Sequence, residues 1–216
     1  MAASARGAGT LPGPNVVKLG GSLHDAAELG GWLAALAEAP GPPRVAVPGG
    51  GPFADAVRAA QERLGFHDLA AHRMAILAMQ QYGLLLQARE PRLVLLETEA
   101  EMRGLASGAG GVWLPWRLAG LESGIEAGWH VTSDSLALWL ARRLGSPRLV
   151  LVKSGTLPLG GRASAGELAA AGVLDEAFPG LAAGYAGEIR CVGRDRAGTL
   201  AGLLAGNGDI GTTVLP

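Results

Sequence analysis

The chain contains one cysteine, Cys191, among its 216 residues. A single thiol excludes an internal disulfide and a cysteine-based zinc site, and it is typical of a reducing cytoplasm. An excess of charge is also lacking, because the formal net charge is −1; nucleic acid is therefore not an expected partner. No apolar run reaches the roughly 20 residues that a membrane-spanning helix needs, so we expect no membrane segment.

Lysine is almost as rare as cysteine. The 18 basic residues include only two lysines, Lys18 and Lys153. Each ends a strand-like apolar run, Asn15–Lys18 and Arg148–Lys153. An ammonium on a flexible stem contacts an anion as a compact point charge, which the planar guanidinium of arginine does not imitate. We therefore predict that both lysines serve one site, with survival by chance as the alternative.

Two familiar phosphate motifs are missing, the P-loop and the glycine-rich dinucleotide fingerprint. Instead, a lysine precedes the glycines in Lys18-Leu19-Gly20-Gly21-Ser22. Two glycines allow the backbone to close on an anion with φ above zero, and a helix predicted over Ala26–Ala37 would direct its positive end there. The motif predicts a phosphate site, although an ordinary strand–turn–helix corner is the alternative.

Short apolar runs alternate with helical patterns along the chain. Predicted strands cover 15–18, 44–47, 92–96, 112–116, 148–153, 188–192 and 208–215, and predicted helices cover 26–37, 53–64, 67–89, 133–144, parts of 165–185, and 194–204, with one short helix within 97–111. This alternation predicts an α/β fold, a three-layer αβα sandwich around a mostly parallel sheet. We expect a flexible tail at Met1–Pro14, without a signal peptide, and a single domain over 15–216.

Ligands of such sheets bind beyond the carboxyl ends of the strands. Lys18, the turn Gly49-Gly50-Gly51 and Lys153 all follow predicted strands, so we expect them to converge on one crevice. Asp134, in Thr132-Ser133-Asp134-Ser135 at a predicted helix start, is either a member of this site or an N-cap.

Three motifs follow one another along the chain: Lys18–Ser22, Gly49–Gly51 and Thr132–Asp134. In this order they resemble the amino acid kinase superfamily, which includes acetylglutamate, carbamate, uridylate and isopentenyl phosphate kinases. The resemblance covers nearly the whole chain and implies a kinase that binds ATP and Mg²⁺ over the carboxyl end of the sheet. It also implies a small-molecule acceptor under the second glycine loop and assembly into homo-oligomers. No protein metal ligands are assigned.

The resemblance also assigns roles to residues. Lys18 would contact the transferred phosphoryl group, and Asp134 would organise the lysines. The resemblance assigns six residues to binding of the nucleotide: Gly20, Gly21, Ser22, Lys153, Ser154 and Gly155. It assigns four to binding of the acceptor: Gly49, Gly50, Gly51 and His72.

One departure from the family pattern concerns the later strand. Many relatives carry an acidic segment where this chain has Lys153-Ser154-Gly155, so Lys153 would be the second cation that faces phosphate. With this lysine and with its 72–76 and 113–116 segments, the chain resembles one small branch of the superfamily. That branch converts an aminomethylfuran-methanol phosphate into its diphosphate in methanofuran-type cofactor synthesis. The alternatives are a carboxylate or nucleotide kinase of the same fold, or a non-catalytic oxyanion-storage protein.

A phosphorylated acceptor also agrees with the residues present. A phosphomonoester is mostly dianionic at neutral pH, so its oxygen can attack without a general base. No histidine or carboxylate adjoins Gly49–Gly51, and Asp55 is expected to be solvated. Trp113, Trp116 and Trp129 form either an aromatic wall against a furan ring or ordinary packing contacts.

Overall fold

The computed structural model describes residues 13–121, 124–155, 161–206 and 210–216. Eight strands form one sheet: β1 (Asn15–Leu19), β2 (Arg44–Pro48), β3 (Val94–Leu96), β4 (Gly110–Trp113), β5 (Arg148–Lys153), β6 (Arg162–Ser164), β7 (Glu188–Gly193) and β8 (Thr212–Leu215). Their order across the sheet is β3-β4-β2-β1-β5-β7-β8-β6. Of the pairs in these ranges only β7 and β8 run antiparallel, which confirms the predicted, mostly parallel α/β sheet.

In the described part of the chain, eight α-helices flank the sheet: α1 (Leu29–Glu38), α2 (Gly51–Leu64), α3 (Asp68–Arg89), α4 (Glu99–Arg103), α5 (Ser133–Leu144), α6 (Ala165–Ala170), α7 (Phe178–Ala182) and α8 (Leu200–Ala205). None of these helices combines the length and apolar character needed to cross a membrane.

The core consists of two apolar clusters, one on each face of the sheet. One cluster joins the sheet to α5, α6 and α7, and the other joins it to α1 and α8. Helix α3 contributes Ile76 and Met79 to the first cluster and Tyr82 and Leu86 to the second. Because helices cover both faces, the layers have the predicted αβα order.

The alternation of side chains along β1 and β5 brings the two lysines together. Val16 faces the cluster that contains α5, whereas Val17 faces the opposite cluster. Successive strand residues point to opposite faces, so Lys18 shares the face of Val16. Leu149 and Leu151 of β5 lie on that same face, which places Lys153 there as well. Since β1 and β5 are parallel neighbours, both lysines reach the N-terminal end of α5.

Three predicted elements differ from the structure, and one strand was missed. The strand predicted over 112–116 ends at Trp113, because Trp116–Gly120 form a π-helical turn. The helix predicted at Ala26 begins at Leu29, because Gly21–Leu23 first form a tight 3₁₀ turn in which Leu23 donates to the Gly20 carbonyl at 3.0 Å. The helix predicted over 194–204 is 3₁₀ as far as Thr199, with non-helical Arg196 inside it. Strand β6 was missed because three residues carry no usable pattern.

Two predictions fall at the edges of the described ranges. Residues 1–12 of the predicted tail lie outside them, and so do residues 208 and 209 of the last predicted strand. Gly13 is described, and its N–H donates to the carbonyl of Gly145 at 3.2 Å. The single domain over 15–216 stays a prediction.

Candidate active site

The centre of the site is one buried carboxylate held between two ammonium groups. Asp134 lies in the first turn of α5, and its Oδ1 is 2.9 Å from Nζ of Lys18. Its Oδ2 accepts a hydrogen bond from Nζ of Lys153, whereas the Lys18 contact is an ion pair without hydrogen-bond geometry. All three side chains are at least 88% buried. Two cations against one anion leave the cluster with a formal charge of +1.

The pKa values of this cluster reflect burial and mutual charge. Burial by itself raises the pKa of Asp134, but Lys18 and Lys153 outweigh it and hold that pKa below its usual value. Burial, and then repulsion from Lys18, lowers the pKa of Lys153, while Asp134 only partly offsets this. Asp134 is therefore ionised at neutral pH, and Lys153 loses its proton more readily than an ordinary lysine.

Both lysines line an open cleft of about 380 Å³ at the carboxyl ends of β1 and β5. The other predicted nucleotide residues line the same cleft: Gly20, Gly21, Ser22, Ser154 and Gly155. The hydroxyl groups of Ser22 and Ser154 lie 2.8 Å apart, so a hydrogen bond joins the loops that follow β1 and β5. The structure thus brings every predicted nucleotide residue to one place, beside two cations.

Gly21 and Gly49 must be glycines because the two loops touch. A Cβ on Gly21 would lie 2.3 Å from the backbone nitrogen of Gly51, and one on Gly49 would lie 2.2 Å from that of Gly21. The expected positive φ at Gly20 and Gly21 is wrong: Gly20 has φ −57°, and Gly21 is not among the glycines with positive φ. Gly51 alone in these two loops adopts a left-handed φ, +54°.

Gly21→Ala is expected to lower the free energy of unfolding by roughly 1–3 kcal/mol, because backbone atoms of the facing loop must move. Gly30→Ala is the matched control. No atom lies within 4 Å of a Cβ at this exposed position in α1, so it is expected to be neutral or to stabilise by about 0.5–1 kcal/mol. Urea unfolding of both variants measures the difference, and equal stabilities would contradict the loop contact.

A second, smaller cavity of about 110 Å³ adjoins the second glycine loop. Gly50 and His72 line it as predicted, together with apolar side chains that include Ile76, Met79 and Leu136. Gly49 and Gly51 do not line it, since they pack against the first glycine loop and begin α2. Burial lowers the pKa of His72 below its usual value, more than its bond to the Gly128 backbone raises it, so this imidazole is neutral at pH 7.

A positive charge at this cavity comes instead from Arg58 of α2, which the sequence analysis missed. Its guanidinium carbon lies 4.3 Å from the ring centre of Trp129 in a cation–π contact. The Trp129 indole donates to Oε1 of Gln61 at 2.6 Å, which fixes the ring. Among the described residues that line the cavity, Arg58 is the one permanent cation.

The three tryptophans do not form one wall. Trp113 is fully buried and stacks on Trp139 with a centroid distance of 6.1 Å, and Trp116 packs against the core. Only Trp129 lines the small cavity. Asp55 is exposed, as expected.

The alternative interpretation of Asp134 as an N-cap is wrong. Thr132 is the N-cap of α5, and the Asp134 carboxylate is directed at the two lysines instead.

Solved structures decide the fold. UMP kinase from Ureaplasma parvum superposes with a TM-score of 0.64 at 13% identity, over 95% of this chain and 100% of that one. Carbamate kinase from Giardia lamblia bound to AMP-PNP superposes with a TM-score of 0.59 at 12% identity, over 95% and 99% of the two chains. This is the amino acid kinase fold.

Within the amino acid kinase fold, aspartate kinase from Synechocystis is also similar, with a TM-score of 0.64 at 14% identity, over 93% of this chain and 39% of that one. No family model matches the sequence. A curated relative, (5-(aminomethyl)furan-3-yl)methyl phosphate kinase from Methanocaldococcus jannaschii, is 30% identical over 144 residues. The match spans 63% of this chain and 64% of the relative, which is less than two thirds of its length.

Proposed function

We propose that the chain is an ATP-dependent kinase that transfers the γ-phosphoryl group to a phosphorylated small molecule. The observation that carries the proposal is the Lys18–Asp134–Lys153 cluster, which borders a cleft lined by glycine backbone and serine hydroxyl groups. In phosphoryl transfer the protein mainly aligns the attacking and leaving oxygens and neutralises negative charge on the transferred group. Two ammonium groups held by one carboxylate can supply that neutralisation.

In this proposal the acceptor phosphate needs no general base. An oxygen of its dianion attacks the γ-phosphorus of ATP, and a new P–O–P bond forms as the bond from the γ-phosphorus to the β–γ bridging oxygen breaks. ADP leaves with that electron pair, and no proton is transferred. Lys18 and Lys153 neutralise charge on the transferred group, Gly20, Gly21 and Ser22 hold the nucleotide phosphates, and Asp134 keeps the two ammonium groups in register.

The residues that line the cleft can contact phosphate oxygens directly, and they would reach a magnesium ion only through those phosphates. Within residues 13–121, 124–155, 161–206 and 210–216, no three His, Cys, Asp or Glu side chains form a group that could hold a metal ion. Mg²⁺ usually keeps several waters and is held largely by substrate phosphates, and both oxygens of Asp134 already face ammonium groups. We propose that the ion enters with ATP and offsets phosphate charge.

For the acceptor we propose an aminomethylfuran-methanol phosphate, which would be converted to its diphosphate. The relative from M. jannaschii carries the name of a kinase for such a phosphate. The cavity at Gly50 is small and mainly apolar, which favours a five-membered ring over a nucleoside. Trp129 offers an aromatic face, and Arg58 offers a cation for the acceptor phosphate.

The test measures ADP release in the presence of Mg-ATP with four acceptors: the furan phosphate, UMP, carbamate and acetylglutamate. We expect release that depends on the furan phosphate. Release with another acceptor would retain the kinase and discard the furan substrate. ATP that binds but stays intact with all four would favour the oxyanion-storage alternative.

Arg58→Ala is expected to raise KM for the acceptor by roughly 10- to 100-fold, because hydrogen bonds to a charged group contribute about 1.5–3 kcal/mol. KM for ATP should change little, because Arg58 does not line the nucleotide cleft. Arg63→Ala, an exposed arginine farther along the same helix, is the control. Steady-state kinetics with each substrate varied measures both constants, and equal acceptor KM values in the two variants would remove Arg58 from the site.

Turnover is expected to fall at alkaline pH, with a midpoint below that of an ordinary lysine, about 10.4. Only protonated Lys153 neutralises phosphate, and its lowered pKa means that the proton is lost as pH rises through that lower value. Cys191 cannot cause this alkaline decrease, because burial raises its pKa to about 12. In Lys153→Arg the residual activity should no longer decrease over this pH range. An unchanged decrease in that variant would assign it to another group.

We also propose that the kinase is cytoplasmic and self-associates. Exposed apolar side chains lie on α3 and on the edge strand β3, among them Met74, Leu77, Leu84, Val94 and Leu95. Exposed apolar surface of this kind favours contact with another protein. Light scattering after size exclusion would give the mass, and a monomer at micromolar concentration would contradict self-association.

A further inference from the structure

Asp175 lies in the segment between α6 and α7, about 40 residues beyond Asp134, and makes four hydrogen bonds to the start of α5. Its Oδ2 accepts the backbone N–H of Thr132 at 2.9 Å, the hydroxyl of Thr132 at 2.7 Å and the backbone N–H of Ser135 at 3.0 Å. Its Oδ1 accepts the hydroxyl of Ser135. A remote carboxylate thus satisfies donors that the first turn of a helix leaves unpaired.

Thr132, the N-cap of α5, satisfies these unpaired N–H groups only weakly. The Thr132 hydroxyl accepts from the N–H of Asp134 at 3.4 Å, close to the limit for a hydrogen bond. The two segments are joined at one more point, where the N–H of Ala177 donates to the carbonyl of His130 at 3.2 Å. The carboxylate of Asp175 also faces the positive end of the α5 dipole, where a negative charge is favourable.

Asp134 lies between the two residues that Asp175 binds. Thr132 and Ser135 are held from one side, while the Asp134 side chain leaves the turn toward Lys18 and Lys153. Ser135 is fully buried and Asp134 is 4% exposed, so the turn has little freedom to adjust elsewhere. We infer that Asp175 is the positioning residue of the site: by fixing the first turn of α5, it holds the Asp134 carboxylate between the two lysines.

The kinetic consequence rests on the proposed kinase function. Asp175→Asn should lower kcat on the order of 10- to 100-fold, the cost of a small misplacement in a reacting geometry. The dissociation constant for Mg-ATP should change less than threefold, since the glycine loops are untouched. Glu176→Gln is the matched control, because it removes the neighbouring, exposed carboxylate, and its kcat should equal that of the wild type.

A second readout does not need activity, because the chain has only two lysines. Protein labelled with ¹³C at the lysine ε-carbon gives two side-chain signals, which Lys18→Arg assigns. The charged or titratable groups that face Lys153 are Asp134 from α5, Lys18 from β1 and Cys191 from β7. If Asp134 is misplaced, Lys153 loses its counter-ion, so in Asp175→Asn its titration midpoint should fall by half a pH unit or more.

The double variant Asp134→Asn/Asp175→Asn separates positioning from a direct charge effect. With Asp134 already neutral, removing Asp175 should move the Lys153 midpoint by less than 0.2 units and lower kcat less than twofold further. Equal shifts in both backgrounds would overturn the inference, as would a Lys153 midpoint unchanged in Asp175→Asn. Should that variant fail to fold, Ser135→Ala removes one of the four bonds and should give a smaller shift in the same direction.

The failure of this inference differs from the failure of the kinase proposal. Wild-type protein without phosphoryl transfer to any acceptor would refute the kinase and leave the lysine titrations to test Asp175. An active wild type whose lysines ignore Asp175 would retain the kinase and refute the positioning role.

Discussion

Lys18→Arg and Lys153→Arg are each expected to lower kcat by about 10²- to 10³-fold, which is the usual cost of losing one preorganised hydrogen-bond donor to the developing negative charge. Arginine keeps the charge but replaces a compact ammonium by a wide planar fork. In a site where Lys18 is 7% exposed and its Nζ lies 2.9 Å from Asp134, the larger group cannot occupy the same position. Steady-state kinetics with saturating ATP and acceptor measures the loss.

The control for these variants is Arg63→Lys, a charge-conserving change at an exposed position of α2, which should leave kcat unchanged. Circular dichroism and thermal unfolding should find the folded state retained in all three proteins. Near-normal turnover in either lysine variant would remove that lysine from the set of groups that contact the transferred phosphoryl group.

Asp134→Asn is expected to affect both stability and catalysis. The change leaves two buried ammonium groups without a counter-ion, and removing one partner from a buried pair typically costs 3–5 kcal/mol. The expected loss in free energy of unfolding is about 3 kcal/mol, because Lys153 can relieve part of the strain by losing its proton. Turnover should fall at least 100-fold, since the lysines lose their alignment.

The control for Asp134→Asn is Asp195→Asn. Asp195 pairs with Arg196 at 3.4 Å, but its side chain is 68% exposed, and surface pairs contribute only about 0–1 kcal/mol. Urea unfolding of the two variants compares a buried carboxylate with an exposed one. Equal and small losses would mean that Asp134 does not organise the charges of the site.

Patterns along the chain were sufficient for the framework of the site. The apolar runs that end at Lys18 and Lys153 became β1 and β5, and because parallel neighbours align their carboxyl ends, both lysines could be assigned to one crevice. The sequence did not establish that they share a face of the sheet. That depends on strand register, which local patterns do not specify.

The groups that the sequence analysis missed act across the chain. Asp175 contacts residues about 40 positions earlier, and no local motif marks such a pair. Arg58 lines the small cavity because α2 packs beside it, and in sequence it resembles any other arginine on a helix. The φ expectation failed for a related reason: Gly21 is required by the approach of a second loop, which its own neighbours in sequence do not reveal.

The most direct test of the account is a phosphorus NMR time course of the protein with Mg-ATP and the aminomethylfuran-methanol phosphate. Transfer to a phosphate creates a P–O–P linkage between two inequivalent phosphorus nuclei. We therefore expect a new pair of doublets, distinct from those of ADP, to grow as the phosphomonoester signal and the ATP signals decline together. These doublets should be absent with the Lys18→Arg protein over the same time. ATP converted to ADP and inorganic phosphate, with the phosphomonoester signal unchanged, would contradict the account.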